Sequence, residues 1–215
     1  MKLRIAALAL AASVVAAPVA LADGMAGDTQ FLIGQRWLDD ERWKPLDEPS
    51  SFGFETSFGP SSSIARAALG FSVSWDKADV VTPYFDETGD VYDAFLQFSA
   101  GFEINPVKKA PVRPYIGAGV LQMYASTGTD WDFFDGDSSF GFYGSLGMYF
   151  KVGDHFNMGF DGRIVRGTDI HLAGRDLDAD YEQASILIGF SWGGGGGHTS
   201  EPPPEPAPEP DDEAP

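Results

Sequence analysis

The feature that most constrains this chain is an alternation of side-chain character from Phe140 to Arg166. Phe140, Phe142, Gly144, Leu146, Met148 and Phe150 share one parity, and Gly141, Tyr143, Ser145, Gly147, Tyr149 and Lys151 share the other. Beyond Val152-Gly153-Asp154 the alternation resumes, with Phe156, Met158, Phe160 and Ile164 against Asn157, Gly159, Asp161 and Arg163. A period of two over this length predicts a β-hairpin. Residues opposed across a hairpin share a face, so its loop holds an odd number of residues, three or five. Each arm runs about 10–12 residues, against about 5–6 for a soluble strand and about 9–11 for a tilted transmembrane one. One face is bulky and aromatic. The other mixes glycine, serine, tyrosine and charge, too small for an oily core and too sparsely charged for a well-solvated surface. It suits the inside of a narrow barrel whose outside meets lipid.

Six further segments alternate in the same way. They lie near Thr29–Trp37, Phe52–Gly59, Ala65–Trp75, Tyr92–Glu103, Tyr115–Leu121 and Tyr181–Trp192. The expected fold is therefore all-β: an eight-stranded antiparallel up-and-down transmembrane β-barrel over residues 23–192. Connections near Pro60–Ser63, Asn105–Pro111 and Val152–Asp154 are short. Those at Leu38–Ser50, Asp76–Asp90, Ser126–Ser138 and Gly167–Asp180 are long. Alternating long and short links match outer loops and periplasmic turns, and an even strand count leaves both termini in the periplasm. The opposite orientation, a secreted lipocalin-like barrel with its Phe/Leu/Ile face turned inward around a ligand, is the alternative outside the membrane.

The ends of the chain fit export. Residues 1–22 read as a secretory signal, with Lys2 and Arg4, an apolar run from Ile5, and Ala20-Leu21-Ala22 before the cleavage point. Its removal makes the net charge of −18 into −20, which argues against a nucleic-acid partner. The chain has no cysteine, so neither a disulfide framework nor a thiolate metal site is available. Residues 193–215, Gly193–Gly197 followed by a Pro/Glu/Asp/Ala segment, read as a disordered periplasmic tail. At about 3.1 Å per residue its Pro-rich part reaches on the order of 45 Å, enough to meet a periplasmic partner.

Charge sorts by position. The four long loops carry 18 acids against four bases, Arg42, Lys44, Lys77 and Arg175. The inward parity carries Glu55, Asp93, Glu103 and Asp161 against Arg36, Arg66, Arg113, Lys151 and Arg163. Charges inside a narrow barrel must pair, and Glu103 with Arg113 is the expected pair. A paired lumen predicts a plug, since eight strands leave an interior just wide enough for side chains. Trp37, Trp75 and Tyr124 fall at outer strand ends, and Phe58, Phe102, Phe150, Phe156 and Trp192 at inner ends, as two aromatic girdles would. Arg166, of lipid-facing parity at the outer rim, is placed to meet a lipopolysaccharide phosphate.

The run Val112-Arg113-Pro114-Tyr115-Ile116-Gly117-Ala118-Gly119-Val120 resembles the PYxGxG strand of the OmpA-like and opacity-type outer-membrane barrels. Ile186-Leu187-Ile188-Gly189-Phe190-Ser191-Trp192 resembles their closing strand. The resemblance spans about Asp23–Trp192 and implies an outer-membrane location, contact with outer-membrane lipid and lipopolysaccharide, and a closing strand read by the β-barrel assembly machinery. The tail is similar to the linker after the barrel in OmpA-like proteins, but no peptidoglycan-binding domain follows it. Gly117-x-Gly119 reads as relief of crowding in the lumen.

The expected role is structural or surface-interacting and non-enzymatic, with no cofactor. A narrow channel for small solutes and a lipid A-modifying enzyme are the alternatives. The enzyme would need His171, near Asp169, with a serine such as Ser138 brought beside it by the fold. The acidic runs around Asp130–Asp137 and Asp176–Asp180 lack the calcium-loop spacing and closing glutamate, so no metal is expected.

Overall fold

In the computed structural model the described residues are 24–81, 88–107, 110–129, 132–153, 155–172 and 174–193. The signal sequence and the tail beyond Gly193 lie outside them. The chain forms β1 (Met25–Leu38), β2 (Ser50–Pro60), β3 (Ala65–Val81), β4 (Thr88–Ile104), β5 (Val112–Thr129), β6 (Asp132–Val152), β7 (Phe156–Arg166), β8 (Asp169–Leu172), β9 (Arg175–Asp178) and β10 (Tyr181–Gly193). Eight of these close into a barrel in the order β1-β10-β7-β6-β5-β4-β3-β2, and β8 and β9 pair only with each other. Every neighbouring pair is antiparallel. The closed ladder leaves no sheet edge in the lipid.

The β6–β7 hairpin has the expected register. Val152 pairs with Phe156, leaving the three residues 153–155 as the loop, and Gly153 takes the left-handed conformation of a three-residue turn, at φ 75. Phe142 is 70% exposed, Phe160 61% and Ile188 41%. Their neighbours in the alternation, Tyr143, Asp161 and Leu187, are buried. The apolar face looks out and the small polar face looks in, which removes the lipocalin-like alternative.

Two features differ from the sequence reading. The predicted loops at 76–90 and 126–138 are largely strand. The β3–β4 ladder continues to Val81 opposite Thr88, and β5–β6 continues to Thr129 opposite Asp132 through a register shift at Thr127/Gly128. Above the membrane both faces of a ribbon meet water, so the apolar alternation vanishes while the backbone pairing persists. Second, β1 starts at Met25 rather than Thr29, which brings Asp28 into the barrel.

The inward glycines make room for tyrosine rings. A Cβ on Gly147 would lie 2.3 Å from the Tyr115 ring, and one on Gly119 would lie 2.7 Å from that of Tyr143. Glycine at 119 in the Gly-x-Gly pattern therefore relieves crowding, as expected from its strand setting.

Phe160→Arg, on the lipid side of β7, is expected to destabilise the barrel by about 2–4 kcal/mol. Equilibrium urea titration of folding into phospholipid vesicles checks this.

Candidate functional site: the lumen and its outer lid

At the inner end of the lumen the organising group is Asp28, 1% exposed. Arg66 Nη1 is ion-paired with Asp28 Oδ2, and Arg113 Nη2 lies 3.7 Å from Oδ1. Asn157 Nδ2 donates to Oδ1 at 3.1 Å, and the Ser191 hydroxyl donates to the same oxygen. Arg113 also donates to Asn157 Oδ1 at 2.8 Å. One carboxylate thus ties β1 to β3, β5, β7 and β10. Sequence reasoning missed it because the strand was begun four residues late, at Thr29 instead of Met25; carrying the Gln30 parity back two positions finds it.

In the middle, Arg163 Nη2 pairs with Glu55 Oε2 at 2.5 Å and its Nε stands 3.9 Å from Asp161 Oδ1. The guanidinium also covers the Tyr143 ring at 4.7 Å. Tyr115 donates to Asp161 Oδ2 at 2.5 Å, and Tyr149 donates to Glu103 Oε2 at 2.7 Å. The two rings stack with centroids 4.5 Å apart, so the two carboxyl groups belong to one assembly. Above it, Arg36 is 1% exposed and, among the described residues, pairs with no acid. Its three nitrogens donate to Gln183 Oε1 at 2.8 Å, Ser74 at 2.9 Å and Ser72 at 2.7 Å, with the Tyr181 ring 4.4 Å away. A cavity bounded in part by Glu55, Arg163 and Gln183 measures about 10 Å³, room for one water at most.

Three expectations about the lumen need correction. Glu103 and Arg113 form no ion pair: the register sets Glu103 opposite Arg66 and Gly117, Tyr149 takes its Oε2, and Arg113 turns to Asp28. Lys151 is exposed at the inner rim, since β6 ends one residue later and its side chain finds water instead of the lumen. With Asp28 gained and Lys151 lost, the interior holds, among the described residues, the acids Asp28, Glu55, Asp93, Glu103 and Asp161 against Arg36, Arg66, Arg113 and Arg163. Asp93 is buried near the outer end, opposite Asp76 in the ladder and hydrogen-bonded to Thr127.

The outer mouth is covered by two loops. The β1–β2 loop forms a single 3-10 turn, Glu41–Trp43. Trp43 is buried, stands 5.3 Å from Phe95, and donates its indole N–H to the Asp178 carbonyl at 2.7 Å. Ile170 and Leu172 from β8 and Leu177 from β9 join Trp43, Phe95, Met123 and Tyr143 in one apolar cluster. Asp40 clamps the two loops. It accepts from the Arg42 guanidinium at 2.7 Å, from the Arg42 amide at 2.9 Å and from the Asp178 amide at 3.2 Å. The Arg42 side-chain bond, with those amides, holds its carboxyl down at about 2.

His171 sits on the outside of this lid. Its Nδ1 is 2.8 Å from Asp176 Oδ1, and its amide donates to Asp137 at 2.8 Å. The bond to Asp176 raises its pKa. Among the described residues no serine is hydrogen-bonded to its ring, and no group of three acidic, histidine or cysteine side chains is set to hold a metal. His155 is exposed in the β6–β7 turn. Arg166 faces outward at the rim but is engaged by Asp39 at 3.1 Å and Glu182 at 3.6 Å. The residues read as girdles all turn away from the axis: Trp37, Trp75, Tyr124, Phe102 and Phe156 are exposed, and Phe58, Phe150 and Trp192 half-buried.

A closed ladder of eight strands, greasy outside and hydrogen-bonded inside, defines a transmembrane β-barrel of the outer membrane. The profile of the family described as "Outer membrane protein beta-barrel domain" matches residues 5–193, and the chain belongs to that family. Among solved structures it is similar to Ail, the attachment invasion locus protein of Yersinia pestis, solved with the heparin analogue sucrose octasulfate. Identity is 11%, coverage 80% of this chain and 100% of that one, and the TM-score 0.52. It is also similar to the N-terminal β-barrel domain of OprF from Pseudomonas aeruginosa, at 12% identity, covering 79% and 98%, with a TM-score of 0.50. At these identities the likeness concerns the fold. No curated protein matches the sequence.

Asp28→Asn leaves two buried guanidinium groups with no charged partner and is expected to cost about 3–5 kcal/mol. Lys151→Ala at the rim should change stability by less than about 0.5 kcal/mol. Urea titrations of the two variants in one lipid compare them directly. The lid has its own pH signature. A depressed carboxyl contributes above its unfolded value of about 3.9 and stops contributing as pH falls through its folded one. The Asp40 clamp should therefore persist at pH 4 and release near pH 2. The raised His171 acts oppositely: its bond to Asp176 is complete below about 6.5 and fades as pH rises through the higher folded value. NMR titration of the Asp40 carboxyl and His171 ring resonances reads both midpoints.

Proposed function

We propose that this protein is a sealed outer-membrane barrel that works through its outer surface rather than through its bore. The observation that carries the reading is the filled lumen. Asp28, Arg163 and Arg36 each bind groups from several strands, and the Trp43–Ile170–Leu177 lid covers the outer end. An ion crossing this interior would have to break charge-assisted hydrogen bonds whose partners are already out of water, a large barrier. What the protein offers its surroundings is the exterior: two ribbons, β3–β4 and β5–β6, that stand above the membrane beside the lid, all richly acidic. Such a surface favours partners of positive charge and contacts bridged by divalent cations.

The second reading, a narrow channel, draws on the excess of carboxylates over arginines inside, which would select cations. Planar-bilayer recording separates the two. The sealed barrel gives no resolved conductance steps in neutral salt. Replacing the β8–β9 hairpin by a short Gly-Ser turn together with Arg163→Ala should open measurable ones. Steady conductance of the unaltered protein overturns the sealed reading. For a lipid-modifying enzyme, the readout is lipid A mass spectrometry with and without His171→Ala, and no change is expected. Under this proposal the residues after Gly193 serve to meet a periplasmic partner, and the closing strand is read by the assembly machinery.

A further inference from the structure

Between the outer and inner aromatic rows, four amide or hydroxyl residues among those described have the outward parity: Thr29, Gln35, Thr56 and Gln122. Three have partners within the protein. Thr29 and Thr56 share a hydrogen bond of 3.0 Å, and the Trp192 indole donates to Thr29 at 3.0 Å. Gln35 donates to the Glu48 carbonyl. Among the described residues Gln122 has none, and it is exposed. An amide left unpaired in hydrocarbon is strongly unfavourable, so this position calls for a polar group from outside the chain.

Gln122 borders a groove on the same face. The register aligns Phe54, Phe71, Phe98, Gln122 and Phe140 in one row across five strands. Phe54, Phe71 and Phe98 form a ridge, with ring centroids 5.7 and 5.1 Å apart. The next row inward is low, because Ala100 and Val120 stand there opposite one another. The result is an apolar groove of about 400 Å³ with Gln122 at its outer border, in the range of small-ligand sites, about 300–1,000 Å³.

Depth identifies the occupant. The short turns and both ends of the barrel lie on the inner side, so Gln122, one row inside Tyr124, is in the outer leaflet. With a rise of about 3.4 Å per residue and a tilt of about 40°, it sits about 5 Å below Tyr124. The acyl chains of the lipid that forms this leaflet, lipopolysaccharide, carry ester, amide and hydroxyl groups on their first carbons, at that depth. We propose that the Gln122 amide and this groove hold one lipopolysaccharide molecule. One acyl chain lies over Ala100 and Val120, between the Phe71–Phe98 ridge and Phe140. Its linkage carbonyl or hydroxyl pairs with the Gln122 side chain. The amide both donates and accepts, so it fits a hydroxyacyl group better than a plain hydrocarbon chain.

The test uses the full-length protein purified from outer membranes in mild detergent, as wild type, Gln122→Leu and Ala100→Phe. Both substitutions face lipid and leave the lumen intact, and heat-modifiable gel migration confirms folding of each. Lipopolysaccharide retained per protein is counted by native mass spectrometry. The delipidated proteins are then offered vesicles of phosphatidylethanolamine alone or with lipopolysaccharide added. The wild type is expected to retain lipopolysaccharide and recapture it only from the second vesicles. Gln122→Leu should hold about three- to tenfold less, the worth of one hydrogen bond, and Ala100→Phe, which fills the groove, should hold none. Equal retention by all three proteins overturns the proposal. So does a wild type that holds phospholipid instead, or an Ala100→Phe protein that changes oligomeric state with its lipid count unaltered.

Discussion

No water reaches the hydrocarbon core of a bilayer, and every level of this structure answers to that. A backbone N–H or C=O left open there is prohibitively unfavourable, so the sheet must close on itself. Closure of β10 onto β1 sets the strand number, and eight strands set an interior only side chains can fill. What remains is to choose the two faces. Outside, Phe, Leu and Ile meet acyl chains that no protein group need satisfy. Inside, glycines at 119 and 147 give way to the rings of Tyr143 and Tyr115, and charge is allowed only where it is bound.

The interior then solves its electrostatics in three ways. Near the inner end, Asp28 is shared by two arginines and two neutral donors. Midway, Arg163 answers Glu55, and tyrosine hydroxyls serve Asp161 and Glu103. Towards the lid, Arg36 is held by the oxygens of Gln183, Ser72 and Ser74 and by the Tyr181 ring. Buried ion pairs of this kind contribute little net stability over apolar packing, but breaking one partner is severe. Their value here is cross-linking: Asp28 and Arg163 each join strands far apart in sequence. The lid follows the opposite logic. It is an ordinary apolar core built above the membrane, with Trp43 as its centre and Asp40 as its clamp.

The wall and the lid give the protein an asymmetric outer profile. On one side β3–β6 continue past the lipid as paired ribbons. On the other, β7 and β1 stop at the rim, and their loops fold inward. The exposed acids fall on both parts, and the lipid-facing groove lies under the tall side, on β2–β6. Lumen, lid and groove are thus three distinct environments: a polar hydrogen-bonded interior, an apolar cap above the membrane and a lipid-facing wall.

The strand number, the facing of each strand and the length of the membrane belt were legible in the sequence, because a period of two carries all three once one face must be greasy. Parity limited the β6–β7 loop to three or five residues, and the structure has three. The extent of β3–β6 was not legible: above the lipid both faces are wet, so a polar ribbon reads like a loop. Partner choice was not legible either. Parity put Glu103, Arg113 and Asp161 inside, but tilt and shear decide which of them meet, and those are properties of the closed cylinder. The same holds for the Trp43 lid, whose apolar residues come from two loops about 130 positions apart, and for Gln122, which is an ordinary polar residue until the rows of five strands align and leave it alone beside a groove.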